Sequence, residues 1–121
     1  MYQMLTPDFA FQDYRGKLVQ LADSGYVQVN VIMTKQGVIR GNHYHKRCKE
    51  AFYIVTGSVD VVLSRDSDRT EVHFSSGEFF EIEPFTVHSM SYPEDCIMVA
   101  LYDQPVEIGH KKDIFSVEDG A

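Results

Sequence analysis

The chain has 121 residues, enough for one domain around one core, and its 44% hydrophobic and 24% charged content is that of an ordinary globular protein. A formal net charge of −7, with no basic stripe interleaved with aromatics, argues against a nucleic-acid partner. No apolar run reaches membrane-spanning length, and the N-terminus MYQMLTPDF lacks the basic-then-apolar order of a signal peptide, so the expectation is a cytoplasmic protein with no membrane partner.

Along the chain, residues 1–12 are aromatic and suited to pairing with a sheet edge or with another subunit. Lys17 to Ala22 is apolar at alternating positions, and Asp23-Ser24-Gly25 makes a turn. Tyr26 to Met33 sets Val27, Val29 and Val31 against Gln28 and Asn30, the alternation of a half-buried strand. Ala51 to Thr56 and Ser58 to Ser64 read as strands joined at Gly57, followed by a polar hairpin loop over Ser64 to Arg69. Thr70, Val72 and Phe74 alternate with Glu71 and His73; Glu78 to Ile82 alternates again and stops at Pro84. Cys96 to Tyr102 is a nearly continuous apolar strand, and no segment carries a helical period. Many short strands with regular turns predict an all-β sandwich or barrel, with no internal repeat or linker to divide residues 1–121.

The chemistry concentrates in GVIRGNHYHKRCKEAFYIVTG, residues 37–57. His43 and His45 are two apart and share a face of a strand. Glu50 has the opposite parity, so a loop or bulge among Lys46, Arg47, Cys48 and Lys49 must reset the register before Glu50, Phe52 and Ile54 can share the inner face. His88 follows Gly77 and Pro84 and shares parity with Met90 and Tyr92. Three imidazoles and one carboxylate suit one divalent transition metal of the Zn, Mn, Ni or Fe type, with coordination positions left open to a small molecule.

At these residues the chain resembles the cupin superfamily. The first cupin motif, G-x5-H-x-H-x3-4-E-x6-G, is matched from Gly37 to Gly57. The second is matched loosely by Gly77, Pro84 and His88: six residues instead of five lie between Gly77 and Pro84, Phe85-Thr86 replaces an x-Gly, and Tyr92 replaces an Asn. The resemblance implies a double-stranded β-helix, or jelly-roll barrel, with the metal-binding core over about residues 26–103 and His43, His45, Glu50 and His88 as ligands. Asp13-Tyr14-Arg15-Gly16 and the RGNHYHK segment are also similar to nucleotide-sugar epimerases of the dTDP-4-dehydrorhamnose 3,5-epimerase type and to the cupin domain of capsular-polysaccharide proteins. Related 3,4-ketoisomerases carry a similar segment, many with Gln where this chain has Glu50, and that difference favours a metal here.

The resemblance implies an epimerase or isomerase acting on a keto sugar or nucleotide sugar, with Arg40 binding substrate; the parity that Tyr92 shares with His88 makes it, or another tyrosine, the expected group near the reacting carbon. A non-haem Fe(II) oxygenase and a non-catalytic small-molecule-binding cupin fit the same ligand set. The aromatic N-terminus (Tyr2, Phe9, Phe11, Tyr14) and exposed barrel edges predict a homodimer. Cys48 and Cys96 form no disulfide framework; Cys48 reads as a loop thiol between two ligands and Cys96 as a small core hydrophobe. His73 is expected to face solvent, His110 to sit in a loop, and Tyr53 and Tyr102 to pack their rings.

Overall fold

The structure, a computed structural model, describes residues 1–108 and 111–117; His110 lies outside the described residues. The strands are β1 (Tyr2–Met4), β2 (Phe9–Asp13), β3 (Gly16–Gln20), β4 (Gln28–Thr34), β5 (Ile39–Tyr44), β6 (Glu50–Thr56), β7 (Ser58–Arg65), β8 (Asp68–Ser75), β9 (Phe79–Ile82), β10 (Val87–Ser91), β11 (Cys96–Tyr102), β12 (Glu107–Ile108), β13 (Lys111–Lys112) and β14 (Phe115–Ser116). There is no helix among the described residues, and none long and apolar enough to cross a membrane.

Two five-stranded antiparallel sheets, ordered β1-β9-β6-β11-β4 and β14-β5-β10-β7-β8, form the all-β jelly-roll barrel expected from the sequence. Period-two alternation turns Phe52 and Ile54 of β6, Phe80 and Ile82 of β9, and Met98 and Ala100 of β11 toward Val59, Val61 and Leu63 of β7, Phe74 of β8 and Met90 of β10. Phe74 and Phe80 stack across the two sheets with ring centroids 3.7 Å apart. The β6–β7 turn is made at Gly57, whose φ of 83° and whose contact with the Asp95 carbonyl leave no room for a side chain. The β7–β8 strands extend further than the polar run suggested, closing over Asp66-Ser67 alone.

The strand at Tyr26 to Met33 forms, but its valines face the other way from a core strand. Val29, Val31 and Met33 of β4 are 60%, 61% and 69% exposed, while Ile32 and Thr34 turn inward. On the inner side of this edge strand Asn30 and Thr34 find hydrogen-bond partners in Tyr102 and Arg40, and the valines are left outside. The register aligns Val29 with Leu101, Val31 with Val99 and Met33 with Ile97, so one apolar outer face runs across β4 and β11. Leu5, Leu21 and Tyr26 cover only its other end, around Ala51, Phe79 and Leu101. The β2–β3 hairpin pairs with no other described strand, and its Phe9, Phe11 and Leu18 are exposed.

Candidate metal centre and its comparisons

Four side chains predicted as ligands converge inside the barrel. The ligand atoms of His43, His45, Glu50 and His88 lie within 4.8 Å of one another. His43 comes from β5, Glu50 from the first position of β6 and His88 from β10, with His45 just past the end of β5. In the β5–β10 pairing His88 faces His43 and Ser89 faces Gly41, so Asn42 is an extra residue, a β-bulge with φ of 60°. Without that bulge Arg40 and His43 would point to opposite faces; with it, both line the same cavity. The turn before His88 forms although no glycine is present. Phe85 takes the left-handed conformation at φ 62°, and its N–H donates to the His45 carbonyl at 2.7 Å. Thr86 is buried, and its Oγ1 has no hydrogen-bond partner among the described residues.

The predicted register reset between His45 and Glu50 is a loop held by two carboxylates. Asp113 accepts from the amides of Lys46, Arg47 and Cys48 at 2.9, 3.0 and 2.9 Å, and Asp103 accepts from that of Lys49 at 2.7 Å. The main-chain carbonyl of Asp113 also takes the Nδ1–H of His45 at 2.5 Å. Four consecutive loop amides between two ligands need acceptors, and that accounting is the one sequence signal for these aspartates, though it does not say which residues serve. Tyr102, read from sequence as a packing residue, also belongs to the site: Asn30 donates to its hydroxyl at 3.3 Å, and that hydroxyl donates to Glu50.

Burial alone would neutralise Glu50, but His45 Nε2 at 2.7 Å, His88 and Tyr102 outweigh it and hold the carboxyl below its ordinary range. Burial works against the His45 imidazolium too, yet the Glu50 carboxylate beside it raises its pKa. Burial pushes His88 down to about 4 and lowers His43 as well, so both rings are neutral near pH 7. Burial raises Tyr92 and Tyr102, which keeps both phenols protonated.

These groups sit in a cavity of about 190 Å³ that Arg40, Ile32, Tyr92, Tyr102 and Ile114 also line. Arg40 is exposed, and its Nε donates to Thr34 Oγ1 at 2.9 Å. Tyr92, just past β10, is buried with its hydroxyl toward Met90 Sδ at 3.6 Å. The remaining candidates lie elsewhere. Cys48 packs in the core, its thiol pushed up to about 12 by burial, and Cys96 is buried with it. His73 is exposed against Asp60, and Tyr53 packs edge-on to Phe79 on the outer face.

The donor set fits a divalent ion. His45 and His88 each turn Nδ1 to a main-chain carbonyl, Asp113 for one and Thr86 at 3.2 Å for the other, which leaves both Nε2 atoms facing Glu50. Ligand atoms on one ion with bonds of about 2.1 Å lie at most about 4.2 Å apart, so the four need close by less than about 1 Å.

The profile of the polysaccharide biosynthesis C-terminal domain matches residues 11–112. The chain belongs to that family. No curated protein matches the sequence. Solved structures share its fold at low identity. The TDP-quinovose 3,4-ketoisomerase of Campylobacter jejuni superposes with a TM-score of 0.82 at 18% identity, covering 96% of this chain and 92% of its own. For the dTDP-4-dehydrorhamnose 3,5-epimerase of Sulfolobus tokodaii the values are 0.70 and 18%, over 89% and 77%. The capsular polysaccharide assembling protein CapF of Staphylococcus aureus gives 0.70 and 21%, over 98% of this chain but 33% of CapF. At identities of 18–21% these structures share the jelly-roll fold with this chain.

Proposed function

We propose that this chain is an isomerase or epimerase of a keto sugar, carried as a nucleotide sugar, with one divalent transition metal held by His43, His45, Glu50 and His88. The carrying observation is the convergence of those four ligands at a cavity that also presents Arg40, Tyr92 and Tyr102. The family's link to polysaccharide biosynthesis supports the substrate class, as do similar structures named as ketoisomerases and epimerases, one of them in complex with TDP-4-keto-6-deoxyglucose.

The cavity holds roughly six waters' worth of volume, room for a sugar ring but not for a nucleotide as well. The ring would enter while the diphosphate stays at the mouth, where the Arg40 guanidinium, oriented by Thr34, pairs with its charge. A bound divalent ion would supply a Lewis acid for the sugar's carbonyl oxygen. Tyr92 and Tyr102 remain protonated and do not serve as bases; Tyr102 gives its single O–H to Glu50, while Tyr92, whose hydroxyl makes a weak contact with Met90 Sδ, is the hydrogen-bond donor to developing negative charge. Ile32, Val106 and Ile114 wall the cavity with apolar surface that keeps bulk water from the reacting carbon.

The working unit is a homodimer. The outer face at Val29, Val31, Met33 and Ile97 and the hairpin face at Phe9, Phe11 and Leu18 expose on the order of 600 Å² of apolar surface, near the roughly 800 Å² per partner of a stable interface. An isolated two-stranded hairpin is marginal alone, so a second copy that lays its apolar sheet face against it supports both.

Incubation with 4-keto nucleotide sugars in D2O tests the activity. Deuterium is expected at carbons beside the ketone and is expected to disappear in Glu50→Ala. No exchange with any keto sugar, together with oxygen consumption by the Fe(II) form, would replace this reading with an oxygenase.

A further inference from the structure

Every backbone amide between the ligands His45 and Glu50 is held by a carboxylate from a distant part of the chain, three by Asp113 and one by Asp103. Such amides would otherwise face a crowded, partly buried loop without strand partners. Asp113 is itself buried, and burial disfavours its charge, but the three N–H donors outweigh that and keep it ionised. One residue thus does two jobs. Its carboxylate sets the path of the loop that carries Glu50 into place, and its carbonyl selects the His45 tautomer with a free Nε2.

Asp113 is anchored in turn. Its N–H donates to the Val106 carbonyl at 2.7 Å. Immediately after it, Phe115 and Ser116 of β14 pair with Tyr44 and His43 of β5. The Phe115 ring lies against Tyr44 with centroids 5.5 Å apart, and Lys46 Nζ sits 4.1 Å above it. Val117 N–H donates to the Asn42 carbonyl at 3.0 Å, and the Asn42 side chain returns a bond to the Val117 carbonyl at 2.9 Å. The bonds at Asn42 clasp the bulged residue that aims His43. Residues 113–117 therefore touch the supports of three of the four ligands: the His43 bulge, the His45 ring and the loop to Glu50.

We propose that Asp113 is a positioning residue of the metal centre: through the 46–48 amides and the His45 Nδ1–H it sets the distance and angle between His45 and Glu50, and so the affinity and geometry of the bound ion. This rests on the metal reading above. It differs from a purely structural role, in which loss of the clamp would lower stability without changing the coordination of any ion taken up.

The test uses the full chain as wild type, Asp113→Asn and Asp113→Ala, each titrated with Co2+ against a chromophoric chelator while the visible d–d bands are recorded. Asp113→Ala is expected to bind Co2+ about 10–100-fold more weakly and with altered bands. Asp113→Asn keeps one acceptor oxygen for the Arg47 and Cys48 amides and is expected to fall between the two. A folded Asp113→Ala with wild-type affinity and spectrum overturns the proposal. Should that variant fail to fold, an Asn variant indistinguishable from wild type in both readouts overturns it instead. If the wild type takes up no Co2+, the metal reading fails separately. The positioning role is then decided without metal, by the His45 imidazole 15N shifts and by hydrogen exchange at the Lys46, Arg47 and Cys48 amides. Both are expected to change in Asp113→Ala, and unchanged values overturn the proposal.

Discussion

His45 donates its Nδ1–H to the main-chain carbonyl of Asp113, 68 residues further along the chain, at 2.5 Å. The other ring nitrogen is thereby directed at Glu50, 2.7 Å away. In the absence of an ion each partner stabilises the charged form of the other: Glu50 raises the pKa of His45 against the effect of burial, and His45 lowers that of Glu50. Taking up a divalent cation requires His45 to give up its Nε2 proton, so loading and protonation compete.

Protein purified without chelator is expected to carry near-stoichiometric transition metal. Elemental analysis of His45→Ala combined with His88→Ala should find none, because two of four ligands are gone. Metal retained by that double variant would show that the four residues are not its ligands.

Metal content is expected to fall as pH drops below about 5.5 to 6, the range in which free imidazoles take up protons in competition with the ion. In the metal-free protein the signs separate. His88, lowered to about 4, contributes stability that is full above the unfolded value of about 6.5 and is lost as pH falls toward 4, about 3 kcal/mol in all. His43 acts in the same direction. Glu50, also lowered, contributes stability above about 4.5 that is lost as pH falls through its folded value. His45, raised, contributes below about 6.5 and loses that contribution as pH rises through its folded value. Melting of chelator-treated protein from pH 7 to pH 4 should show a falling midpoint; a flat profile would contradict the burial of His88.

Arg40→Ala is expected to raise KM far more than it lowers kcat, because Arg40 stands at the mouth and not at the ligands. Tyr92→Phe is expected to lower kcat with KM little changed. Steady-state kinetics with the substrate found by deuterium exchange gives both numbers, and the opposite pattern would exchange the roles assigned to the two residues.

Gly57→Ala should destabilise the fold by about 2–4 kcal/mol, since the added Cβ meets the Asp95 carbonyl and the residue must hold φ at 83°. Urea denaturation measures it. A loss under about 0.5 kcal/mol would mean that the β6–β7 turn can rearrange around a side chain.

Val29→Glu combined with Val31→Glu puts two charges on the outer face of β4 and leaves the core untouched. Light scattering should show wild-type mass near twice 13.9 kDa and the variant near 13.9 kDa. A wild type that scatters only as the single chain at micromolar concentration would rule out the dimer.

The strands and the four converging ligands were legible in the sequence because each rests on local geometry, whereas the jelly roll, as against any other all-β sandwich or barrel, was legible only through resemblance. Parity puts His43 with His45 and His88 with Met90, while Glu50 falls in with Phe52 and Ile54 once a loop resets the register. Arg40 was legible only through resemblance, since three positions from His43 it belongs to the opposite face of a regular strand. The bulge at Asn42, a residue type that tolerates the left-handed conformation but does not by itself mark a bulge, brings it to the cavity.

Tertiary structure alone decided which side of β4 is inside. Val27, Val29 and Val31 alternate as core residues do, but the barrel turns the polar positions of that strand toward Tyr102 and Arg40, whose hydrogen bonds need them, and leaves the valines on an outer face. It also decided what holds the ligands. Asp103 and Asp113 bond to main-chain amides, and an amide has the same donor whatever side chain it carries, so no pattern of residue types between His45 and Glu50 points to partners 54 to 67 positions away. By itself the sequence determined which atoms can bind an ion and which strands present them, since those follow from side-chain chemistry and a period of two. How closely those atoms approach was left to long-range backbone contacts, which exist only once the chain has folded.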